Sequence, residues 1–120
     1  MKNSLIIDNN CIKITEIRRQ KDILINNIEC IIVEKYHSKL LLTINEMLET
    51  NFSLKEWESI LPKKKFVRIN RGTIINLNYV KKIEKSSHNN MTIYMQHYEF
   101  PINMSPYYIS KTANKINRIL

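Results

Sequence analysis

Apolar and polar residues alternate along most of this chain, so strands dominate the expected structure. "IECIIVE", 28–34, is rich in Ile and Val and reads as a strand. "KLLLTI", 39–44, reads as a second, with "KYHS" as a hairpin connection between them. Upstream, "CIKITEI" and "DILI" are shorter strand candidates, and "NEMLET", 45–50, extends or follows the second strand. Later, "FVRINR" reads as a strand. "TIINLNYVKKI" reads as apolar clusters broken at Asn76 and Asn78. "MTIYMQ", 91–96, places Met91, Ile93 and Met95 on one side, and "HYEFPI", 97–102, turns into a short strand.

Two segments break this period. In "SLKEWESILP", 53–62, Ser53 and Glu56 have the spacing of a capping box, and Phe52 can staple onto Trp57. Leu54, Trp57, Ile60 and Leu61 share one face, and Pro62 prevents continuation. In "SPYYISKTANKINRIL", Ser105 fits an N-cap and Pro106 the first helical position. Ile109, Ala113, Ile116 and Leu120 then form a narrow apolar stripe. The expected fold class is mostly β, with one short internal helix and one C-terminal helix.

A chain of 120 residues suits one domain with a core of its own. Gly72 is the only glycine, which leaves no glycine-dependent phosphate cradle or dinucleotide fingerprint. Turns fall to Asn, Asp and Ser, as in "DNN", "NN" and "SSHNN". The two cysteines, Cys11 and Cys30, form no CxxC and read as reduced, half-buried thiols. His37, His88 and His97 are scattered, with no HxH or HExxH spacing. No catalytic residues, metal ligands or cofactors are therefore expected, and the chain reads as non-enzymatic. It shows neither a secretory signal nor an apolar run long enough to span a bilayer, so a cytoplasmic protein without a membrane partner is expected.

Charge changes the picture. The net charge is +8, and residues 62–85 alone carry +7, whereas 1–61 carry −1. A positive field of this kind attracts nucleic acid or an anionic membrane, and a strand pattern rather than an amphipathic helix disfavours the membrane.

The helix "FSLKEWESILP" followed by "FVRINRGTIINLNYVKKI" resembles the LytTR DNA-binding domain, the output module of many bacterial response regulators. That family pairs an apolar "slkeLeexL" helix with a strand of the form "FxRvHRSyiVNlnxI". Phe66, Arg68, Arg71, Ile74, Ile75, Asn76, Leu77 and Asn78 fall on the pattern. "NNIECIIVEKYHSKLLLTI" and "YEFPINMSPYYISKTANKI" resemble its earlier strand pair and its ending. The resemblance covers residues 22–120, with 1–21 as an N-terminal strand segment supplying an edge strand. It implies an elongated stack of short antiparallel sheets that lies across DNA and inserts loops into successive major grooves. Double-stranded DNA is the implied partner, read by a homodimer or by paired copies on direct repeats. No receiver domain is present in these 120 residues.

The family's "HR" is Asn70–Arg71 here, and its "SR" is Asn103–Met104. The arginine at the latter place commonly contacts DNA in the family, so "INMSP" reads as a DNA-facing segment that has lost a charged contact. Arg68, Asn70 and Arg71 are candidate DNA contacts, and the forks of the two arginines suit phosphate or base edges. Because these arginines stand three apart, a bend after Asn70 is expected to aim both outward. The alternative is a structural arginine–carboxylate pair. Lys63, Lys64 and Lys65 are candidate phosphate contacts, or simply a soluble connector. His37, Ser38 and Lys39 lie in the strand-pair connection, which in the family resembles a DNA-facing loop. Asn76 either caps the local backbone or joins Asn103 as a contact. Tyr107 and Tyr108 flank the helix start. The leading functional reading is sequence-selective binding of duplex DNA by a bacterial transcription regulator. The alternative is a protein-interaction domain that has kept this fold and lost DNA readout.

Overall fold

The computed structural model describes residues 3–16, 19–43 and 45–117. Ile17, Ile44 and Leu120, and the side chain of Ala113, belong to expected elements but lie outside what is described.

Among the described residues, three antiparallel sheets are stacked along a body of 48 × 24 × 24 Å. The first joins β1 (Ser4–Asp8), β2 (Cys11–Glu16) and β3 (Arg19–Leu24). The central sheet has β4 (Ile28–Glu34), β5 (His37–Leu42), β6 (Glu46–Thr50), β7 (Phe66–Asn70) and β8 (Thr73–Asn76), in the order β6-β5-β4-β8-β7. The third joins β9 (Val80–Ser87), β10 (Asn90–Met95) and β11 (Ile102–Met104). Helix α1 (Leu54–Ile60) precedes β7, and α2 (Pro106–Asn117) follows β11.

The stacking explains where simple alternation fails. A middle sheet buries both faces, so its strands become continuously apolar. All of β8, "TIIN", is buried: Ile74 enters one core and Ile75 the other. The first core gathers Ile12, Ile14 and Ile23 of the N-terminal sheet with Ile31, Leu40 and Trp57. The second gathers Val67 and Ile69 with Ile93, Met104 and Ile116. Each fully buried Ile or Leu contributes roughly 1.5–3 kcal/mol of transfer free energy. The N-terminal segment supplies strands β1 and β2. They form a layer with β3, which spans Arg19–Leu24.

The turn chemistry follows the polar residues. Asn9 and Asn10 both take positive φ, as a tight hairpin loop between Asp8 and Cys11 requires. Around α1, the Ser53 Oγ accepts from the Glu56 amide at 3.1 Å, and the Glu56 carboxylate accepts from the Ser53 amide at 3.2 Å. Phe52 meets Trp57 edge-on with centroids 6.2 Å apart, completing the staple. "NEMLET" becomes a separate strand, β6, and "NLNY" a single 3-10 turn at Leu77–Tyr79. Cys30 is fully buried, not half-buried, and burial pushes its thiol up to about 12. At neutral pH it is a protonated core side chain.

Gly72 does not occupy the left-handed region. A Cβ there would meet only the Asn70 Oδ1, at an ordinary 3.8 Å. Gly72→Ala is expected to stabilise the fold by about 0.4–1 kcal/mol, because the unfolded chain loses freedom. The urea midpoint measures this, and a lower midpoint would show that the turn needs glycine.

Candidate nucleic-acid interface

Strand pairing sets the site. Because β4 and β8 are antiparallel neighbours, the β4–β5 turn and the β7–β8 turn emerge side by side. The Val33 amide donates to the Gly72 carbonyl at 2.9 Å and ties them together. A third segment joins them: the Ser105 amide donates to the Ile69 carbonyl at 3.0 Å, and the Asn70 Nδ2 to the Asn103 carbonyl at 2.9 Å. The Asn70 Oδ1 accepts from the Gly72 amide at 2.8 Å. Asn70 thus spends its amide on holding two loops in place.

Between these turns and the start of α1 runs an open groove of about 610 Å³. Lys35, His37, Lys55, Arg68 and Arg71 line it, with Val33, Tyr36 and Phe52 as apolar wall. Its lining contains no carboxylate. Tyr36 is 93% exposed at the turn tip, and Lys35 beside it is held at positive φ. His37 Nδ1 lies 2.8 Å from the Asn51 Oδ1 and 3.7 Å from a Glu49 oxygen.

The two arginines differ. The β7 irregularity lies between Arg68 and Asn70, not after Asn70 as expected. A bulge there re-aims the strand end. Arg71 is exposed and makes no side-chain ion pair or hydrogen bond among the described residues. Arg68 is mostly covered. Its Nη1 donates to Glu58 at 3.0 Å, its Nη2 donates to the Arg71 carbonyl, and its guanidinium lies 5.9 Å from the Tyr108 ring centre. Here the structural arginine–carboxylate pair is what the molecule has.

Ser38 and Asn76 are both fully buried, which corrects Ser38 as a DNA contact and leaves Asn76 with its other reading, a cap on the local backbone. The Ser38 hydroxyl accepts from the Trp57 Nε1 at 3.0 Å and pairs with the Thr50 hydroxyl. The Asn76 Nδ2 donates to the Ile28 carbonyl at 2.9 Å, and its Oδ1 accepts from the Asn78 amide at 3.0 Å. Both satisfy polar groups inside the stack. Met104 is 2% exposed, so the outward residue of "INMSP" is Asn103.

The basic run is divided in space. Lys63, Lys64 and Lys65 precede β7 and Arg71 follows it, beyond opposite ends of a strand roughly 13 Å long. Lys63 and Lys64 are exposed, and Lys65 donates to the Asn26 Oδ1 at 3.0 Å. Lys39 donates to Glu34 at 2.7 Å, which holds the lysine above its usual range and the carboxylate below its own. An exposed pair of this kind exchanges readily for another anion.

Lys35, Tyr36 and Lys55 join the groove without having been singled out in the sequence. The signal for the first two was a two-residue loop, "KY", between strongly apolar strands. Glu29, inside "IEC", was also missed. It is buried, and its carboxylate accepts from the His97 and Tyr98 amides and lies 2.7 Å from the His97 Nδ1. That clamp locks the loop after β10 to the central sheet.

An elongated antiparallel β stack with a cationic, acid-free groove at one end of its middle sheet defines the class. A family model described as the LytTr DNA-binding domain matches residues 18–117. The chain belongs to the LytTR family of DNA-binding domains, which act in transcription regulation. The fold is also similar to a solved structure, the LytTr DNA-binding domain of a Bacillus cereus protein described as a methyl-accepting/DNA response regulator. The TM-score is 0.77 at 18% identity, over 91% of this chain and 98% of the other. No curated protein matches the chain.

Proposed function

We propose that this domain binds duplex DNA sequence-selectively, through the end of the central sheet where the β4–β5 and β7–β8 turns meet. The observation that carries this reading is the groove with five basic or imidazole side chains and no acid in its lining. Arg71 and His37 reach base edges. Lys35, Lys39 and Lys55 contact phosphates nearby, and Lys63, Lys64 and Lys65 extend the field along the molecule. Asn70 and Asn103 position the turns. Arginine forks read guanine in the major groove, whereas lysines supply charge without sequence information. Two copies on direct repeats would double the contacted surface. A DNA partner sets the cytoplasm as the working compartment.

The test is duplex binding at several salt concentrations, with a selected site and with random sequence. Affinity falls steeply with salt, with a logarithmic slope of about −0.9 per phosphate neutralised. The selected site wins by a factor on the order of 10³ or more. Salt-independent binding, or equal affinity for every duplex, would remove this reading.

A further inference from the structure

A second cleft lies between α1, β7 and α2, outside the groove just described. It encloses about 320 Å³, at the small end of ligand pockets. Phe66, Val67 and Ile74, each more than nine-tenths buried, form its apolar floor. Lys63, Arg68, Lys111 and Lys115 line it, and Tyr108 forms part of a wall. Among the described residues Glu58 is the only acid in the lining, and it is already paired with Arg68. The Arg68 Nε is buried with no acceptor among the described residues, so this guanidinium keeps an unspent donor. A cleft this small over an apolar floor does not admit a duplex backbone. It suits a small flat body with one negative charge.

We propose that this cleft binds a small aromatic carboxylate, and that occupancy is transmitted to the β7–β8 turn through Arg68. The ring system covers the apolar floor against Tyr108. The carboxylate takes the Arg68 donors and is held electrostatically by Lys111 and Lys115. Arg68 is the one residue that lines both clefts, and its Nη2 holds the Arg71 carbonyl. A carboxylate that draws this guanidinium toward itself loosens that bond. The binding does not depend on the DNA reading; its regulatory meaning does.

The experiment is an amide NMR titration of the whole chain with 1-naphthoate, without DNA. The neutral 1-naphthamide is the control. Saturable shifts at millimolar ligand are expected in α2, β7 and the end of α1, together with shifts at the Arg71 and Gly72 amides. The amide control binds about tenfold more weakly, as does naphthoate to the Lys111→Gln, Lys115→Gln double variant. Glu58→Gln tightens naphthoate, because it removes a like charge and weakens the competing hold on the Arg68 guanidinium. Equal binding of acid and amide, or indifference to the two lysines, would overturn the site. Binding that leaves Arg71 and Gly72 unmoved would overturn the transmission. Since no DNA is present, either failure leaves the DNA reading standing.

Discussion

Met104→Arg is expected to unfold the domain, not to supply the arginine that the family commonly carries near this place. Met104 is 2% exposed and pairs in register with Met91. Around it lie Val67, Ile69, Ile93 and Ile116 in the second core. A guanidinium placed there loses its hydration and finds no carboxylate among those side chains. Leaving such a charge uncompensated costs about 3–5 kcal/mol, against a total stability of about 5–15 kcal/mol for a domain. Overpacking adds to the loss. Urea unfolding followed by Trp57 fluorescence should show a collapsed transition. Met104→Leu should stay within about 1.5 kcal/mol of the parent, because volume and polarity are kept. A folded Met104→Arg variant with the parent's midpoint would show that this side chain can turn outward.

The same segment shows what the sequence could and could not tell. "INM" already alternates: Ile102 and Met104 point in, and Asn103 points out. Its own period marked Met104 as core, and the analogy with an exposed arginine drew it outward. Local signals were otherwise reliable. The box at Ser53 and Glu56, the staple at Phe52 and Trp57, and the start of α2 at Pro106 all depend on residues within five positions of each other. What was illegible depends on distant partners. Ser38 is buried because Trp57 and Thr50 can use its hydroxyl. Asn76 is buried because the Ile28 carbonyl, 48 residues away, needs a donor. In sequence Ser38 looks like an ordinary polar loop residue, and Asn76 shows only its local capping, not this distant partner. Likewise the run 62–85 reads as one basic surface. Pairing of β7 with β8 sends its lysines and Arg71 to opposite ends of a strand.

That division makes the effect of Arg71→Ala separable from those of its basic neighbours. Arg71 is exposed and its side chain holds nothing else in the fold among the described residues. Its removal should leave the unfolding midpoint within about 0.5 kcal/mol of the parent. If its fork reads a guanine, binding to the selected duplex falls by roughly 1–3 kcal/mol, or about 5- to 150-fold, while random duplex loses far less. Lys64→Ala provides the contrast. A lysine near phosphate contributes charge alone, so the loss is similar for all duplexes and the salt slope falls by about one phosphate's worth. Arg68→Ala provides the other contrast. It removes the Glu58 pair and the support of the Arg71 carbonyl, so the midpoint drops along with binding. Thermal unfolding measured beside both affinities sorts the three outcomes. If Arg71→Ala is folded and discriminates between selected and random duplex as well as the parent does, Arg71 does not read bases. The turn-end surface then loses its central residue.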